Sequence, residues 1–138
     1  MNSKFMCAVA ASLLSLGAFA ETYYVDRSRP DDTGDAKTPE TAKRTIQAAV
    51  DLAGDGDTVM LLPGVYDEGS VKSGDATSLD TRVMITNRIT LTGRDGKERT
   101  FIRGEFSTAA ATGVGAGAMR CITVGNGGAG TIFERVTL

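Results

Sequence analysis

The spacing of hydrophobic residues changes once along the chain, at Gly54. Before this glycine, four apolar residues follow i, i+3, i+4, i+7 spacing, which places them on one face of a helix. These residues are Ile46, Ala49, Val50 and Ala53. The spacing predicts an amphipathic helix over about residues 41–53 that ends at Gly54. This helix has two alternative N-caps, Thr45 and the earlier Thr38, which is followed by Pro39.

After Gly54 the apolar residues come in short runs that are rich in β-branched residues and mostly end at Gly or Asn. The first run, residues 58–64, is continuous, which is typical of a buried strand. Later runs that predict strands are residues 82–86, 88–93, 100–104, 120–125 and 131–138, and a further run lies before the helix at residues 22–26. Because no second helical pattern separates these runs, folds of alternating strands and helices are excluded.

Short strands with uneven connections fit either a β-sandwich or a solenoid of stacked coils. A solenoid leaves core side chains and strand edges uncovered at its end, and a helix directly before the first buried strand covers such an end. A β-sandwich does not need a helix to cover an open end. The pattern therefore favours an all-β solenoid with an N-terminal capping helix.

The first twenty residues have the pattern of an export signal. Lys4 precedes an apolar run that ends in Ala-Phe-Ala, and this run is too short for a membrane anchor. We predict that residues 1–20 are a signal peptide cleaved after Ala20. Residues 21–138 would then form a single domain that is secreted, periplasmic or held at the cell surface.

The composition limits the chemistry of the chain. It has no histidine, so Ser-His-Asp and Cys-His mechanisms and His-ligated zinc are excluded within it. Cys121 is the single cysteine after the predicted cleavage point, and we expect it to be a small buried hydrophobic residue. The formal net charge of −2, with interspersed signs, indicates neither nucleic acid nor a membrane surface as partner. The remaining groups suit calcium binding or carbohydrate chemistry, and equally a structural role.

Two segments carry a resemblance to a known family. They are TAKRTIQAAVDLAGDGDTVMLLPGVYDEG at residues 41–69 and ITLTGRDGKERTFIRGE at residues 89–105. The matching positions are Thr45, Ile46, Gln47, Ala49, Val50, Ala53, Gly56, Asp57, Val59, Pro63, Gly64, Tyr66, Glu68, Ile89, Thr90, Leu91 and Gly93. Their order resembles the opening of secreted right-handed parallel β-helix proteins of the pectate-lyase-like superfamily.

The resemblance implies a right-handed parallel β-helix with a capping helix at about residues 41–53. Its coils would begin at about residue 57, and about three of them would be present before the chain is truncated. It also implies an exported module of a protein that binds or degrades acidic, pectin-like polysaccharide as a lyase or pectin esterase, with the catalytic coils outside this chain. The alternative is a non-catalytic, cell-surface or adhesive scaffold. We assign no catalytic, cofactor or metal residue here, and calcium is a candidate cofactor only for the full-length protein.

Two groups of acidic residues are candidates for chemistry. Asp67 and Glu68 lie in GVYDEG, which also resembles a segment near the start of pectin methylesterases, whose catalytic aspartates lie in later coils. We expect both to be turn and surface residues. Asp31, Asp32 and Asp35 carry oxygens that suit calcium, but their spacing differs from that of a helix-flanked calcium loop. A solvated acidic loop is the expectation for them.

Other candidates have simple structural interpretations. Residues 125–130, GNGGAG, match a dinucleotide-binding pattern, but a strand-like run follows them, so we expect a turn. Arg103, Arg120 and Arg135 resemble candidate lyase bases by their position in or beside strands. Because the sequence places no acids around them, we expect solvated residues. Tyr66 is expected to pack its ring over a corner with its hydroxyl in water.

Overall fold

Strands dominate the structure, a computed structural model that describes residues 19–72, 74, 79–108, 111–113, 115 and 117–138. The strands are β1 (Thr22–Val25), β2 (Thr58–Leu61), β3 (Gly64–Tyr66), β4 (Asp80–Ile85), β5 (Thr90–Gly93), β6 (Thr100–Ile102), β7 (Met119–Val124) and β8 (Ile132–Glu134). The helix α1 spans Ile46–Val50, and 3-10 turns span Pro39–Thr41 and Asn126–Gly128.

The strands form three sheets, in the orders β1-β2-β5-β8, β3-β6 and β4-β7, and every pair of neighbouring strands is parallel. The chain visits the three sheets in a constant order. It passes through β2, β3 and β4, then through β5, β6 and β7, and then returns to the first sheet with β8. A parallel bridge between Phe101 and Thr137 continues the second sheet. The prediction of an all-β fold is thus confirmed, and its sheets are parallel.

The core lies between the three sheets, where alternate residues of each strand point inward. In the first sheet Tyr23, Val59 and Leu91 occupy one register position in successive strands, and all three are buried. Val83 and Ile85 of β4 and Ile102 of β6 complete this core from the other two sheets. Each fully buried aliphatic side chain of this kind contributes about 1.5–3 kcal/mol to folding.

Gly93 closes β5 where two parts of the chain come very close together. A Cβ atom at this position would lie 2.2 Å from the carbonyl oxygen of Arg135. Arg135 itself has a positive φ of 56°, and this bend ends β8. The predicted strand at residues 131–138 is therefore interrupted, with Thr137 on the far side of the bend bonded to β6.

The predicted helix over residues 41–53 is wrong in its length. Thr45 caps α1, since its hydroxyl accepts the amide N–H of Ala48 at 3.4 Å. Thr38 instead precedes the 3-10 turn at Pro39–Thr41. Lys43 cannot be helical because its backbone forms a parallel bridge with Val25 at the edge of β1.

The apolar face of the helix is confirmed. Ile46, Ala49, Val50 and Ala53 are all at most 3 % exposed. They join the main core, and α1 contacts β1, β2 and β4. The helix therefore covers the end of the sheets at which β1 and β4 lie.

The expectation that the Tyr66 hydroxyl lies in water is wrong. Tyr66 is the last residue of β3, which begins at Gly64 and pairs with β6. Tyr66 is only 3 % exposed, and its hydroxyl lies 3.0 Å from the carbonyl oxygen of Val25 and 2.8 Å from that of Leu62. The hydroxyl is not in water, because both carbonyls lie within hydrogen-bond distance inside the fold.

The predicted signal peptide falls almost wholly outside the described residues, which begin at Phe19. Cleavage after Ala20 therefore stays a prediction. Within the part of the chain that the structure describes, none of the helices has the length and apolar character needed to cross a bilayer.

Candidate functional site

A cavity of about 150 Å³ lies between α1, β4 and the segment that follows β3. Residues from four parts of the chain surround it. They are Arg27, Arg44, Thr45, Ile46, Gln47, Tyr66, Glu68, Gly69, Ser70, Val71, Arg82 and Val83. Three guanidinium groups therefore face one small space, beside a single acidic lining residue.

Glu68 binds two of the three arginines. Its Oε2 atom lies 2.6 Å from Nη2 and 3.1 Å from Nε of Arg44, and 2.8 Å from Nη1 of Arg27. Hydrogen bonds from Arg27 and then from Arg44 hold the pKa of Glu68 below its usual value. Because Glu68 is about half-exposed, solvent screens these pairs, and each contributes little to the stability of the fold.

Arg27 also contacts the backbone of the second sheet. Its Nε donates to the carbonyl oxygen of Val65 at 2.9 Å, and its Nη2 lies 2.9 Å from Oδ1 of Asp67. Arg27 follows β1 directly, so the end of this strand aims it at β3. The pair of acids in GVYDEG thus lies at the surface, as expected, where both bind arginine.

Arg82 is the most buried charged group of the site, with its side chain only 7 % exposed. It lies on the outer face of β4, between the inward-facing Thr81 and Val83, and the chain covers it. Its Nε donates to the carbonyl oxygen of Arg103 at 3.0 Å, and its Nη1 donates to that of Gly69 at 2.5 Å. These bonds join the segments that follow β3 and β6, and they offset the cost of burying the charge.

The acidic residues 31, 32 and 35 bind the chain itself. The carboxylate of Asp32 accepts the backbone N–H of Thr45 at 2.8 Å and its hydroxyl at 2.9 Å, which orients the start of α1. Asp31 accepts two bonds from Thr33, and Asp35 accepts the hydroxyl of Thr41. These bonds lower the pKa of Asp31 and Asp35. Among the described residues no three carboxylate, Cys or His groups lie close enough to hold a metal ion.

A second, wider cleft of about 770 Å³ lies beside β7. It is lined mainly by apolar residues, together with Arg103, Arg120 and Glu105. We expected no acid around these two arginines, but Glu105 lies in the same cleft. Both arginines are exposed, as is Arg135 at the end of β8.

Two expectations for this half of the molecule can be compared with the structure. Cys121 is partly rather than fully buried, and its Sγ accepts the N–H of Gly104 at 3.1 Å. Residues 125–130 do form a turn, with the 3-10 segment Asn126–Gly128 between β7 and β8. The turn prediction is therefore confirmed.

The sequence did not identify the arginine cavity. Arg27, Arg44 and Arg82 are far apart along the chain, and only the packing of α1 against β1 and β4 brings them together. A local signal existed for Arg82, because strand alternation in RVMI places it opposite the inward-facing Val83. No local signal existed for Arg27 or Arg44, which lie in loops.

Comparison of the chain with protein-family models, with curated protein sequences and with solved structures found no significant match.

Proposed function

We propose that this chain is the capped N-terminal part of a right-handed parallel β-helix in an exported protein. The observation that carries the proposal is the register of the three sheets. β2 pairs with β5, β3 with β6 and β4 with β7, each in parallel. A chain that adds one strand to each of three sheets in turn follows a helical path, and parallel crossovers are right-handed in about 98% of cases.

The resemblance of residues 41–69 and 89–105 supports the same fold. Gln47, which belongs to that resemblance, bonds to Met84 at the outer edge of β4 through both atoms of its amide. Gly93, from the second segment, lies where a side chain would meet Arg135. These positions thus have structural reasons that suit a capped stack of strands.

For the whole protein, we propose binding or degradation of acidic, pectin-like polysaccharide outside the cytoplasm. The support is the resemblance. In the described residues, the acids near the helix bind backbone groups, hydroxyls or arginines, so their role here is structural. This chain is therefore proposed as a binding or structural module, and the chemical steps belong to other coils.

The alternative is a non-catalytic scaffold at the cell surface. One observation favours it, namely that the carboxylates of Asp31, Asp32, Asp35 and Glu68 are all engaged in internal contacts. A scaffold needs only the stacked sheets and no reactive group.

The fold proposal is tested by paired cysteines in a Cys121→Ser background. Partners in register are Met60 with Thr92, Val65 with Phe101, and Met84 with Thr123. Directly opposed residues of adjacent strands lie within reach of a disulfide. A β-helix predicts that each of the three double variants forms a disulfide on mild oxidation. The off-register pair Met60 with Thr90 is the control, and cross-linking that favours it would contradict the proposal.

The polysaccharide proposal is tested with the full chain and two polymers that differ in charge. Binding to polygalacturonate but not to a neutral galactan supports a carbohydrate module. Equal retention on both, or on neither, favours the scaffold. Mass spectrometry of material exported by a bacterial host checks the compartment, since Glu21 should be its first residue.

A further inference from the structure

The charge around the cavity beside α1 is unbalanced. Arg27, Arg44 and Arg82 line it, and Glu68 is the single acidic residue among the lining residues. Asp67 binds Arg27, and Glu105 lies 4.0 Å from Nη2 of Arg82, but neither of these acids lines the cavity. Guanidinium groups that converge on one space bind carboxylate, phosphate and sulfate groups, because their donors match two oxygens at a time.

One nitrogen of Arg82 makes no hydrogen bond with the residues that the structure describes. Nε and Nη1 are bonded to carbonyl oxygens, whereas Nη2 lies 4.0 Å from Oε2 of Glu105. The side chain as a whole is more than nine-tenths buried, but Nη2 is not one of its buried atoms. An acceptor from solution can therefore reach this nitrogen, and a hydrogen bond from a charged donor to an anion is a strong one.

Glu68 already occupies the position that an external oxyanion would take. Its carboxylate is held by Arg27 and Arg44 at 2.6–3.1 Å. The side chain is 47 % exposed and lies after the end of β3, outside any strand. It can therefore turn into water, and the ion pairs that it gives up are weak because solvent screens them.

The size of the cavity limits what can enter. Its volume is about 150 Å³, and a cavity of that size holds a molecule about as large as benzene. It therefore has room for one small oxyanion group. Val83 and Ile46 form an apolar wall, and the Ser70 side chain adds a neutral polar group to the lining.

We propose that this cavity is a binding site for a small oxyanion, a carboxylate, sulfate or phosphate group, which displaces Glu68 from Arg44 and Arg27 and accepts a hydrogen bond from Arg82. The site is independent of the proposed polysaccharide function. It requires only the described contacts between α1, β4 and the segment after β3.

The test is a titration of the full chain, followed by NMR, with sodium acetate, sodium sulfate and sodium phosphate at constant ionic strength. Saturable shifts of the amides of Thr45, Ser70 and Val71 are the expected result. The three anions distinguish the sources of the charge, since preference for acetate indicates a carboxylate ligand and preference for sulfate or phosphate a tetrahedral one. Glucose, which is neutral, should give no saturable shift.

Three variants then test the mechanism. Glu68→Gln removes the internal competitor and should tighten binding about fivefold, the equivalent of ~1 kcal/mol. Arg44→Gln should weaken binding at least about fivefold. Arg94→Gln is the matched control, because Arg94 pairs with Asp95 and does not line the cavity. This variant should bind the anions with the same affinity as the parent chain.

The proposal is overturned if none of the anions gives saturable shifts at these amides, or if Arg94→Gln weakens binding as much as Arg44→Gln. The proposal is also overturned if Glu68→Gln binds the anions no more tightly than the parent chain does, because Glu68 then does not compete with them. If Arg44→Gln does not fold, the change in anion affinity of Glu68→Gln alone decides whether the proposal holds.

Discussion

The stack of three sheets has two ends, and the strand edges are covered at one end more than at the other. At the end formed by β1, β3 and β4, each outer strand edge is contacted by another part of the molecule. At the end formed by β7 and β8, no strand pairs with β7 on the side away from β4 in the described residues. Apolar side chains are exposed at that second end. They are Val124, Ile132, Phe133 and Leu138.

Three different groups cover the first end. The backbone N–H of Lys43 donates to the carbonyl of Tyr24 in β1 at 3.0 Å. The guanidinium of Arg27 donates to Val65 in β3. The amide of Gln47 both accepts from the N–H of Met84 at 2.8 Å and donates to its carbonyl at 3.2 Å.

The comparison shows that a strand edge can be satisfied without another strand. The side-chain amide of Gln47 carries N–H donors and a carbonyl acceptor, as a peptide group does, and it meets Met84 where a neighbouring strand would. Backbone groups satisfied in this way are not available to another chain. Four predictions compare contacts at this end with positions elsewhere in the fold.

The largest effect is expected for Val50→Asp in α1. Val50 is 3 % exposed, and an unpaired carboxylate there must be buried or must displace the helix. We expect a loss of about 3 kcal/mol or more in the free energy of unfolding. Chemical denaturation gives this value, and hydrogen exchange should show loss of protection at residues 59–62.

Leu52→Asp is the control for this prediction. Leu52 follows α1 directly but is 45 % exposed, so a carboxylate there stays in water. We expect a change within about 0.5 kcal/mol. Equal losses in the two variants would show that the helix does not protect the first strands.

The second prediction concerns the edge of β4. Gln47→Met keeps the length of the side chain but removes both bonds to Met84, and we expect a loss of about 1–2 kcal/mol. The amide of Met84 should also exchange faster with solvent. The matched change at the other end is Thr123→Val in β7, because the buried hydroxyl of Thr123 has no described hydrogen-bond partner. This change should be neutral or slightly stabilising, and a loss as large as that of Gln47→Met would remove the difference between the ends.

The third prediction is a loss of about 1 kcal/mol for Tyr66→Phe. The hydroxyl of Tyr66 lies within 3.0 Å of the carbonyls of Val25 and Leu62, and it links β1 to the turn after β2. Without it these carbonyls lose a buried donor. Thermal and chemical unfolding measure the loss, and Tyr24→Phe, at a partly exposed position of β1, serves as control. Equal effects would mean that the hydroxyl of Tyr66 contributes nothing specific.

The smallest expected effect is a change in acid sensitivity. Arg27 and Arg44 lower the pKa of Glu68 in the folded state, below the value of about 4.3 in an unfolded chain. The associated stabilisation is therefore complete above about pH 4.3 and is lost as the pH falls through the lower, folded-state pKa. Glu68→Gln should show a smaller decrease in Tm between pH 6 and pH 3 than the parent chain. Glu134→Gln, on the exposed strand β8, is the control, and an identical decrease in both variants would contradict the prediction.

Several elements could be read from the sequence because they depend on neighbouring residues. The alternating and continuous apolar runs located β1, β2, β4, β5, β6 and β7 to within a few residues. The i, i+3, i+4, i+7 spacing identified Ile46, Ala49 and Val50 as a buried face. Short apolar strands and one amphipathic face are local properties, so composition and spacing were sufficient.

Other elements could not be read in this way. The predicted helix included residues 41–44, but the backbone bonds between Lys43 and β1 require an extended conformation. The strand β3 is only three residues long and begins with the glycine of Pro63-Gly64, so its pattern resembles a turn. It is a strand because β6 pairs with it, and a contact across thirty-six positions has no local signature.

The sequence by itself determined which residues are apolar enough to form a core, where most of the strands lie, and which catalytic groups the chain lacks. Only the tertiary structure decided what the polar side chains do. It placed Gln47 against the edge of β4, and it brought Arg27, Arg44 and Arg82 around one cavity with Glu68. The reason is physical: burial follows from the local spacing of apolar residues, whereas a hydrogen bond or an ion pair needs two groups within about 3 Å, and residues distant in sequence reach that separation only when the sheets have formed.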